Sequence, residues 1–421
     1  MASPTRWQLR TTQDMEQGGL TLVPSGATPV KLASMQAAPV WVGNLLGGHE
    51  TATTVAVAFM PRGSQVALAV ARFTASTMAP PLTAGSDGAR RCLSGGVSTA
   101  SLGDVILLFG DQRPLRRPGA SGEDDGDNAL HLWALRPFPS NAPPSAIRVA
   151  VRPAADGGEP GRRQFAAAAC SGGRLYVVGG ARLGATQSSP FDVEPPPGIA
   201  LWDAWVFTPA DARLPEAGGA WEALLLRGDA PAGDPPGLRG AAYVMRAPDD
   251  PAAAQLLLFG GYTNAGVSAD VFSVRLATGE VTRLDPSDAT APRPAARAHA
   301  AAVLLPGGRR VLLAGGGSEF ADAVDSWLFD VQERSWTPVA LADREFREPS
   351  RQQSMLRRSP FGQHTLVLQL PTRAADAADD AVSLIVWGGF WRVVPEGAEA
   401  HQACTVMISD MREMRLERAT K

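Results

Sequence analysis

Two carboxylates and one imidazole stand four residues apart in an acidic stretch of the chain, at Glu123, Asp127 and His131. Carboxylate oxygens together with a histidine nitrogen form a ligand set that suits divalent iron. The same spacing also arises by chance where an acidic, glycine-rich loop runs into a β-strand with an outward-facing histidine. The sequence therefore predicts no cofactor and no metal, and it keeps these three residues as an alternative metal site.

Arginine side chains are the second group that could bind a ligand, because a guanidinium forms paired hydrogen bonds with carboxylates. Some of them lead into short apolar strands, and others lie in a densely charged stretch at 341–360. The candidate binding residues are Arg163, Arg239, Arg297, Arg344, Arg347, Arg351 and Arg358. One interpretation is that they receive an acidic partner. The other is that an arginine recurring before a strand pairs with an acid or a carbonyl of its own repeat and holds the turn.

Other patterns that could carry chemistry are missing from the sequence. The three cysteines, Cys92, Cys170 and Cys404, are far apart and form no CxxC pair, which argues against a disulfide framework or a zinc knuckle and favours a reducing compartment. The sequence contains no G-x-S-x-G elbow, no Walker phosphate loop and no H-E-x-x-H motif. We therefore expect that the protein is not an enzyme.

Composition limits the partners that the chain can have. The 421 residues carry a formal net charge of −3, with 45% hydrophobic and 19% charged residues. This balance is typical of a folded chain and gives no reason to expect nucleic acid or an acidic membrane as partner. The sequence has no apolar run long enough to cross a membrane. We expect an intracellular protein, cytoplasmic or associated with the cytoskeleton, with the nucleus as an alternative.

The elements that must position these residues recur along the chain. A short apolar strand ending in two small residues occurs five times, and the small pairs begin at Gly110, Gly179, Gly260, Gly315 and Gly388. A strand of small apolar residues precedes most of these pairs, and an alternating strand and a last short strand follow them. Glycine pairs at strand ends fit places where chain segments approach closely and bend. The pattern predicts repeats of four strands.

This order of features resembles the kelch repeat, in which a basic residue and an apolar strand precede a strand ending in Gly-Gly, a strand of the DxWxFD type and a strand with tryptophan. The copy at 297–339 resembles the pattern most. Its matching residues are Arg297, His299, Gly315, Gly316, Trp327, Phe329, Asp330 and Trp336. The resemblance covers residues 91–418 and weakens before them.

The resemblance implies an all-β fold, namely a kelch-type β-propeller with six four-stranded blades. We place the propeller at 40–420, after an N-terminal segment at 1–39 that carries a ring-closing strand at 6–10 as one alternative. The blades are expected at 40–90, 91–151, 162–226, 238–285, 296–340 and 357–418. Residues 6–10 and 414–417 compete for the outer edge of the last blade, and residues 5–23 could instead complete the first. Seven blades or an incomplete ring stay open.

The resemblance also implies a function. The chain carries no recruitment or catalytic extension beside the repeats, so we expect a non-enzymatic scaffold that binds protein partners within a larger assembly. Long insertions at 111–128, 181–200 and 341–360 are predicted to form its docking surface. The alternative is a metal-dependent enzyme or specifier protein, because the iron-binding specifier proteins are kelch propellers with an E-x3-D-x3-H motif like the one at 123–131.

Purified protein is expected to hold no stoichiometric iron, copper or zinc, because Glu123 and Asp127 belong to an acidic loop of a kind that arises without metal binding. Elemental analysis of the purified chain beside its His131→Ala variant checks this expectation. Near-equimolar iron that disappears in the variant would contradict it and support the specifier alternative.

Overall fold

The computed structural model describes the middle of the chain together with strands on either side of it. The described residues are 145–161, 163–182, 199–284, 286, 290–318, 323, 325–341 and 381. Outside these ranges the structure describes the strands named in the next paragraph.

The described residues are all-β, as the sequence predicts. They form strands joined by turns, with a short 3-10 helix at Pro215–Ala217 and no α-helix among them. The strands are β1 Trp7–Asp14, β2 Leu22–Val23, β3 Val40–Gly47, β4 Thr51–Arg62, β5 Gln65–Thr74, β6 Arg91–Leu93, β7 Ser98–Leu102, β8 Val105–Gly110, β9 Gln112–Pro114, β10 His131–Arg136, β11 Ser145–Arg148, β12 Val151–Arg152, β13 Ala167–Ser171, β14 Arg174–Val178, β15 Ala181–Arg182, β16 Ile199–Ala200, β17 Ala204–Pro209, β18 Gly219–Leu224, β19 Arg227–Gly228, β20 Ala242–Arg246, β21 Gln255–Thr263, β22 Gly266–Arg275, β23 Glu280–Arg283, β24 Ala301–Leu304, β25 Arg310–Ala314, β26 Ser326–Asp330, β27 Ser335–Leu341, β28 Leu366–Gln369, β29 Val382–Trp387, β30 Phe390–Val393, β31 Cys404–Met407 and β32 Met411–Arg418.

Hydrogen bonding joins most of these strands into sheets of four, five and eight strands, within which we number six runs of four neighbouring strands as sheets I to VI. From the first strand to the outer edge they are β3-β4-β5-β2 (I), β7-β8-β10-β11 (II), β13-β14-β17-β18 (III), β20-β21-β22-β23 (IV), β24-β25-β26-β27 (V) and β28-β29-β32-β1 (VI). Neighbouring strands are antiparallel in sheets II to VI, whereas β2 lies parallel to β5 in sheet I. Strands β6 with β9, β15 with β16, and β30 with β31 form separate short pairs.

The apolar second strands are buried because each of them packs against two neighbouring sheets. In β21, Leu256 and Leu258 belong to the core between sheets III and IV, whereas Leu257 and Phe259 belong to the core between sheets IV and V. The strands β14 and β25 divide their side chains in the same way. Alternate side chains of a strand point to opposite faces, so a strand covered on both faces is apolar throughout. The uninterrupted apolar runs in the sequence follow from this position.

Tryptophans on the fourth strands close the space between successive sheets. Trp221 of β18 contacts Phe109 of sheet II, with ring centroids 5.6 Å apart, and Phe207 of its own sheet at 5.4 Å. Trp336 of β27 occupies the corresponding place between sheets IV and V, 6.0 Å from Phe259. Each of these rings removes a large apolar area from water at a sheet boundary.

The outer edges of sheets III, IV and VI each pair in parallel with a segment that comes from the sheet before. Strand β12, which follows β11 of sheet II, pairs with the start of β18 in sheet III, and β19 pairs in the same way with β23 in sheet IV. The end of β27 in sheet V pairs in parallel with the start of β1, where Trp7 lies opposite Val339. Strand β1 therefore takes the fourth, outer position in sheet VI.

The placement of β1 decides between the two segments that competed for the outer edge of the last repeat. Strand β32 is the third strand of sheet VI, since it pairs with β29 on one side and with β1 on the other. The sequence interpretation of 414–417 as a fourth strand is thus corrected: this segment is part of β32, and the fourth position belongs to Trp7–Asp14. Residues 22–23 pair in sheet I.

The first strands of successive sheets lie next to one another, with contacts between β7 and β13, β13 and β20, β20 and β24, and β24 and β28. Four cores of buried apolar residues lie between the same successive sheets, from II to VI. A row of sheets packed face to face with their first strands together is compatible with a β-propeller.

The glycine pairs lie where one sheet meets the chain segment that leads into the next. The first glycines have positive φ, +65° at Gly179 and +62° at Gly260. A Cβ at Gly179 would lie 2.5 Å from the carbonyl oxygen of Leu238, and a Cβ at Gly260 would overlap the carbonyl oxygen of Arg297. The second glycine of each pair donates its N–H to the same carbonyl, at 2.8 Å from Gly180 to Leu238 and from Gly261 to Arg297. A side chain on the first glycine would separate the two sheets.

Replacing Gly260 with alanine is expected to lower the free energy of unfolding by about 3 kcal/mol, the sum of a strained φ and a clash with the Arg297 backbone. Gly307→Ala is the matched control, because Gly307 also has a positive φ, of +82°, but no atom lies within 4 Å of the place that a Cβ would take. The control is expected to cost about 1 kcal/mol. Urea unfolding of both variants measures the difference, and equal losses would contradict the proposed role of the glycine pair.

Candidate functional site

The predicted site residues fall into two sets. Arg344, Arg347, Arg351, Arg358, Glu123 and Asp127 lie outside the described residues, and of His131 the structure gives the backbone position at the start of β10. The metal alternative at 123–131 therefore stays a prediction. Within the part of the chain that the structure describes, no three His, Cys, Asp or Glu side chains are grouped to hold a metal ion. No helix in that part is long and apolar enough to cross a membrane.

Arg163 is buried within sheet III, where its guanidinium is held by a carboxylate and a carbonyl. Its Nη1 donates to Oδ1 of Asp203 at 2.5 Å and to the carbonyl oxygen of Gly179 at 3.0 Å, and its Nη2 donates to Oδ2 of Asp203 at 2.9 Å. The indole N–H of Trp205 donates to the same carboxylate at 2.9 Å. The arginine side chain is 2% exposed and the aspartate 42%.

Arg297 makes the same contacts in sheet V. Its Nη1 donates to Oδ1 of Asp325 at 2.6 Å and to the carbonyl oxygen of Gly315 at 3.1 Å, and the indole N–H of Trp327 donates to Oδ2 at 2.7 Å. Arg297 is also 2% exposed. We call each set an Arg–Asp–Trp cluster. Each cluster fixes the first glycine of the pair, the start of the third strand and the segment that leads into the first strand.

The carboxylates of both clusters are held in the charged form. Burial by itself would raise the pKa of Asp203, but the hydrogen bond and charge of Arg163 and the hydrogen bond from Trp205 outweigh it and keep that pKa below its usual value. For the same reasons, with Arg297 and Trp327 as partners, the pKa of Asp325 is also lowered. A carboxylate that is stabilised in the folded state contributes stability at neutral pH and loses it in acid.

The structure places the predicted binding residues Arg163 and Arg297 in buried positions against their own sheets. Their donors are directed to groups of their own sheet, and 2% exposure leaves no surface on which a partner could bind. Buried cations need such partners because an uncompensated charge is costly away from water. These contacts agree with the second interpretation of the sequence, in which a recurring arginine holds the turn of its own repeat.

Arg239 occupies a different position from the two buried arginines. Isolated bridges join Gln164 to Ala181, Arg239 to Tyr262 and Ala298 to Gly317, so Arg239 corresponds to Gln164 and Ala298. Leu238 is then the residue that corresponds to Arg163 and Arg297, and its carbonyl accepts the same inter-sheet hydrogen bond as that of Arg297. The sequence placed Arg239 one residue out of register.

In sheet IV an arginine of the fourth strand pairs with the corresponding aspartate. Asp270 corresponds to Asp203 and Asp325 in strand pairing, and it accepts a hydrogen bond at 2.6 Å from Nη2 of Arg283 in the fourth strand. Phe272 stands where the other two sheets have a tryptophan, so the indole N–H that binds the carboxylate is absent together with the arginine. The ring of Trp202, from sheet III, lies 5.8 Å from Phe272.

Three residues with left-handed backbone mark the starts of the first strands. Phe165, Gly240 and His299 have φ of +55°, +62° and +54°. The N–H of Gly240 donates to the carbonyl of Phe165 at 3.0 Å, and that of His299 donates to the carbonyl of Gly240 at 2.8 Å. Successive sheets are thus linked at this end, where the glycine pairs also lie. We call it the doublet end.

Aromatic rings and one cation gather at the doublet end around His299. Its ring lies 5.0 Å from that of Phe165 and 5.8 Å from that of Tyr262, between centroids. The guanidinium carbon of Arg239 lies 5.0 Å from the centre of the Tyr262 ring. Arg239, Phe165 and His299 are partly exposed. Arg239 is thus the one arginine among the described candidates whose side chain is partly exposed.

Comparison with known proteins assigns the chain to no family. No protein-family model matches the chain, and no curated protein matches it. Among solved structures the chain is similar to one described as "Structure of YjhT", with 13% sequence identity and a TM-score of 0.46, over 76% of this chain and 81% of that chain. The architecture described above follows from the strand pairing and packing of this chain.

Asp325→Asn is expected to lower the stability by about 2 kcal/mol at neutral pH, because it leaves a buried Arg297 opposite a half-exposed neutral side chain. The pKa of Asp325 is lowered by folding, so the contribution of its charge is complete above the unfolded value and is lost as the pH falls below about 4. The loss of stability between neutral and acid pH should therefore be smaller in the variant than in the parent.

Glu280→Gln is the control, since Glu280 pairs at 3.7 Å with Arg275 and both side chains are about half exposed. It is expected to change the stability by less than about 0.5 kcal/mol. Urea unfolding across the pH range measures all three proteins. Equal effects of the two substitutions would show that the Arg–Asp–Trp cluster does not support the fold.

Proposed function

We propose that the chain is a kelch-type β-propeller of six four-stranded blades, formed by sheets I to VI and closed by β1 in the last blade. The support lies in the shared register of sheets III to V, the parallel pairings at the outer edges of sheets III, IV and VI, and the cores between successive sheets. A single four-stranded sheet of this kind cannot bury both of its apolar faces alone.

We propose further that this propeller is a non-enzymatic scaffold that binds a protein partner at the doublet end, within an intracellular assembly. The observation that carries this proposal is the position of Arg239. In the corresponding position sheets III and V have Gln164 and Ala298, both buried at 3% and 1% exposure. Arg239 instead carries a charge and is partly exposed, so it is the described candidate best placed to contact a partner.

The long insertions of the sequence favour the same end. The segments 111–128 and 181–200 connect second to third strands, and 341–360 leads from sheet V to sheet VI, so each leaves its sheet where a glycine pair lies. The first of them contains both basic and acidic runs. Charges of both signs at one rim orient a partner and speed its encounter without a large net charge.

Affinity capture with mass spectrometry tests this function, with Arg239→Gln as the variant because Gln164 already occupies the corresponding position in sheet III. We expect the partner recovered by the parent chain to be reduced about tenfold or more, since an arginine in a carboxylate contact contributes strongly to an interface. The remaining recovery should depend less on salt.

Arg246→Gln is the matched control. It changes the net charge by the same amount at the end of strand β20, whereas Arg239 lies before the start of that strand. Partner recovery that survives Arg239→Gln but is lost with Arg246→Gln would place the docking surface at the other end of the sheets. Recovery that neither substitution changes would contradict docking through the first strands.

A further inference from the structure

A stem of two short strands lies at the doublet end of sheet III. Strands β15 and β16 pair antiparallel, with Ala181 opposite Ala200 and Arg182 opposite Ile199. Side chains that stand opposite each other in such a pair lie on the same face, and neighbouring residues of a strand alternate between faces. Ala181 and Ala200 are 0% and 2% exposed, so they form the inner face of the stem. Arg182 and Ile199 therefore form its outer face.

Hydrogen bonds hold both strands of the stem in place. The backbone of Ala181 exchanges two hydrogen bonds with that of Gln164, at 2.8 and 3.0 Å. On the other side, the side-chain amide of Asn264, from the turn between β21 and β22 of sheet IV, takes the place of a neighbouring strand. Its Oδ1 accepts the N–H of Ala200 at 2.9 Å, and its Nδ2 donates to the carbonyl oxygens of Ala200 at 3.0 Å and Pro235 at 2.8 Å. A backbone fixed in this way loses little entropy when a partner binds.

The outer face of the stem combines an exposed aliphatic side chain with an exposed cation. Ile199 is 61% exposed, which is unusual for a large apolar side chain in the described part of the chain. Arg182 is also exposed. Among the residues that the structure describes, none forms a hydrogen bond or an ion pair with the guanidinium of Arg182. A guanidinium binds a carboxylate through two parallel hydrogen bonds, and an aliphatic side chain beside it adds apolar area to such a contact.

We infer that the outer face of the stem binds an acidic peptide segment in which an apolar side chain stands next to a carboxylate. The carboxylate forms the paired hydrogen bonds with Arg182, and the apolar side chain covers Ile199. Opposite residues of a strand pair have Cβ atoms about 5 Å apart, so the two groups of the ligand belong to residues at most two positions apart. This inference rests on the proposed scaffold function and specifies the chemistry of its partner.

Selection from a displayed random heptapeptide library on the full-length chain tests the inference. We expect enrichment of sequences with Asp or Glu within two positions of an apolar residue. Arg182→Gln should weaken the binding of a selected peptide about tenfold and remove the acidic preference. Ile199→Ser should weaken that binding about fivefold and remove the apolar preference. Both side chains are exposed, so neither substitution changes the core.

The matched controls are Arg174→Gln and Leu214→Ser, which change an exposed arginine and an exposed leucine at the opposite end of sheet III. We expect both controls to bind the selected peptides like the parent chain. Peptides whose binding is unchanged by Arg182→Gln or by Ile199→Ser, or is reduced equally by the controls, would overturn the inference while leaving a peptide-binding scaffold in place. A library without any enriched sequence would also overturn it, whereas loss of captured partners in Arg239→Gln would still support the scaffold function.

Discussion

The close approach of each glycine pair to the backbone of the next sheet is the constraint on which the rest of the structure depends. The carbonyl of Arg297 lies so near to Gly260 that no Cβ fits between them, and it also accepts the N–H of Gly261 at 2.8 Å. Successive sheets can only pack face to face if this approach is kept. The apolar second strands, buried on both faces, follow from that packing.

The Arg–Asp–Trp cluster explains how a buried cation can support such a packed boundary. Arg163 is enclosed, yet a carboxylate, a carbonyl and a neighbouring indole satisfy the polar groups around it. The arrangement fixes the orientation of both a glycine carbonyl and the start of the third strand. Its effect is on this geometry more than on the net free energy of folding. In sheet IV the corresponding position holds the apolar side chain of Leu238. Asp270 pairs instead with Arg283 of the fourth strand.

Much of the fold could be predicted from the sequence because it depends on repeated local features. The glycine pairs at Gly179, Gly260 and Gly315, the apolar second strands around them and the tryptophans Trp221 and Trp336 lie where their spacing indicated. The assignment of the last repeat failed, since 411–418 is a single strand and its outer neighbour, β1, comes from the other end of the chain. No local pattern in Met414–Glu417 distinguishes a third strand from a fourth.

The candidate site was harder to predict, because the pattern along the chain does not show which residues of successive sheets correspond. The sequence pattern groups Arg239 with Arg163 and Arg297, because all three precede small apolar residues. The strand pairing shifts Arg239 by one position relative to the other two. The signal that could have separated them is Gly240, which takes the left-handed backbone of Phe165 and His299. The ring contacts between Tyr262 and His299 join residues of different sheets, which spacing along the chain does not predict.

Hydrogen exchange of the amides of Gly180 and Gly261, resolved by residue, tests most directly whether these approaches hold the sheets together. Both amides donate to a carbonyl that leads into the next sheet. We expect protection equal to that of amides inside β21, because opening them requires two sheets to separate. The amide of Gly308, bonded within a single turn to Leu305 at 3.1 Å, should exchange much faster. Exchange of Gly180 and Gly261 as fast as Gly308 would contradict the central role given to the glycine pairs.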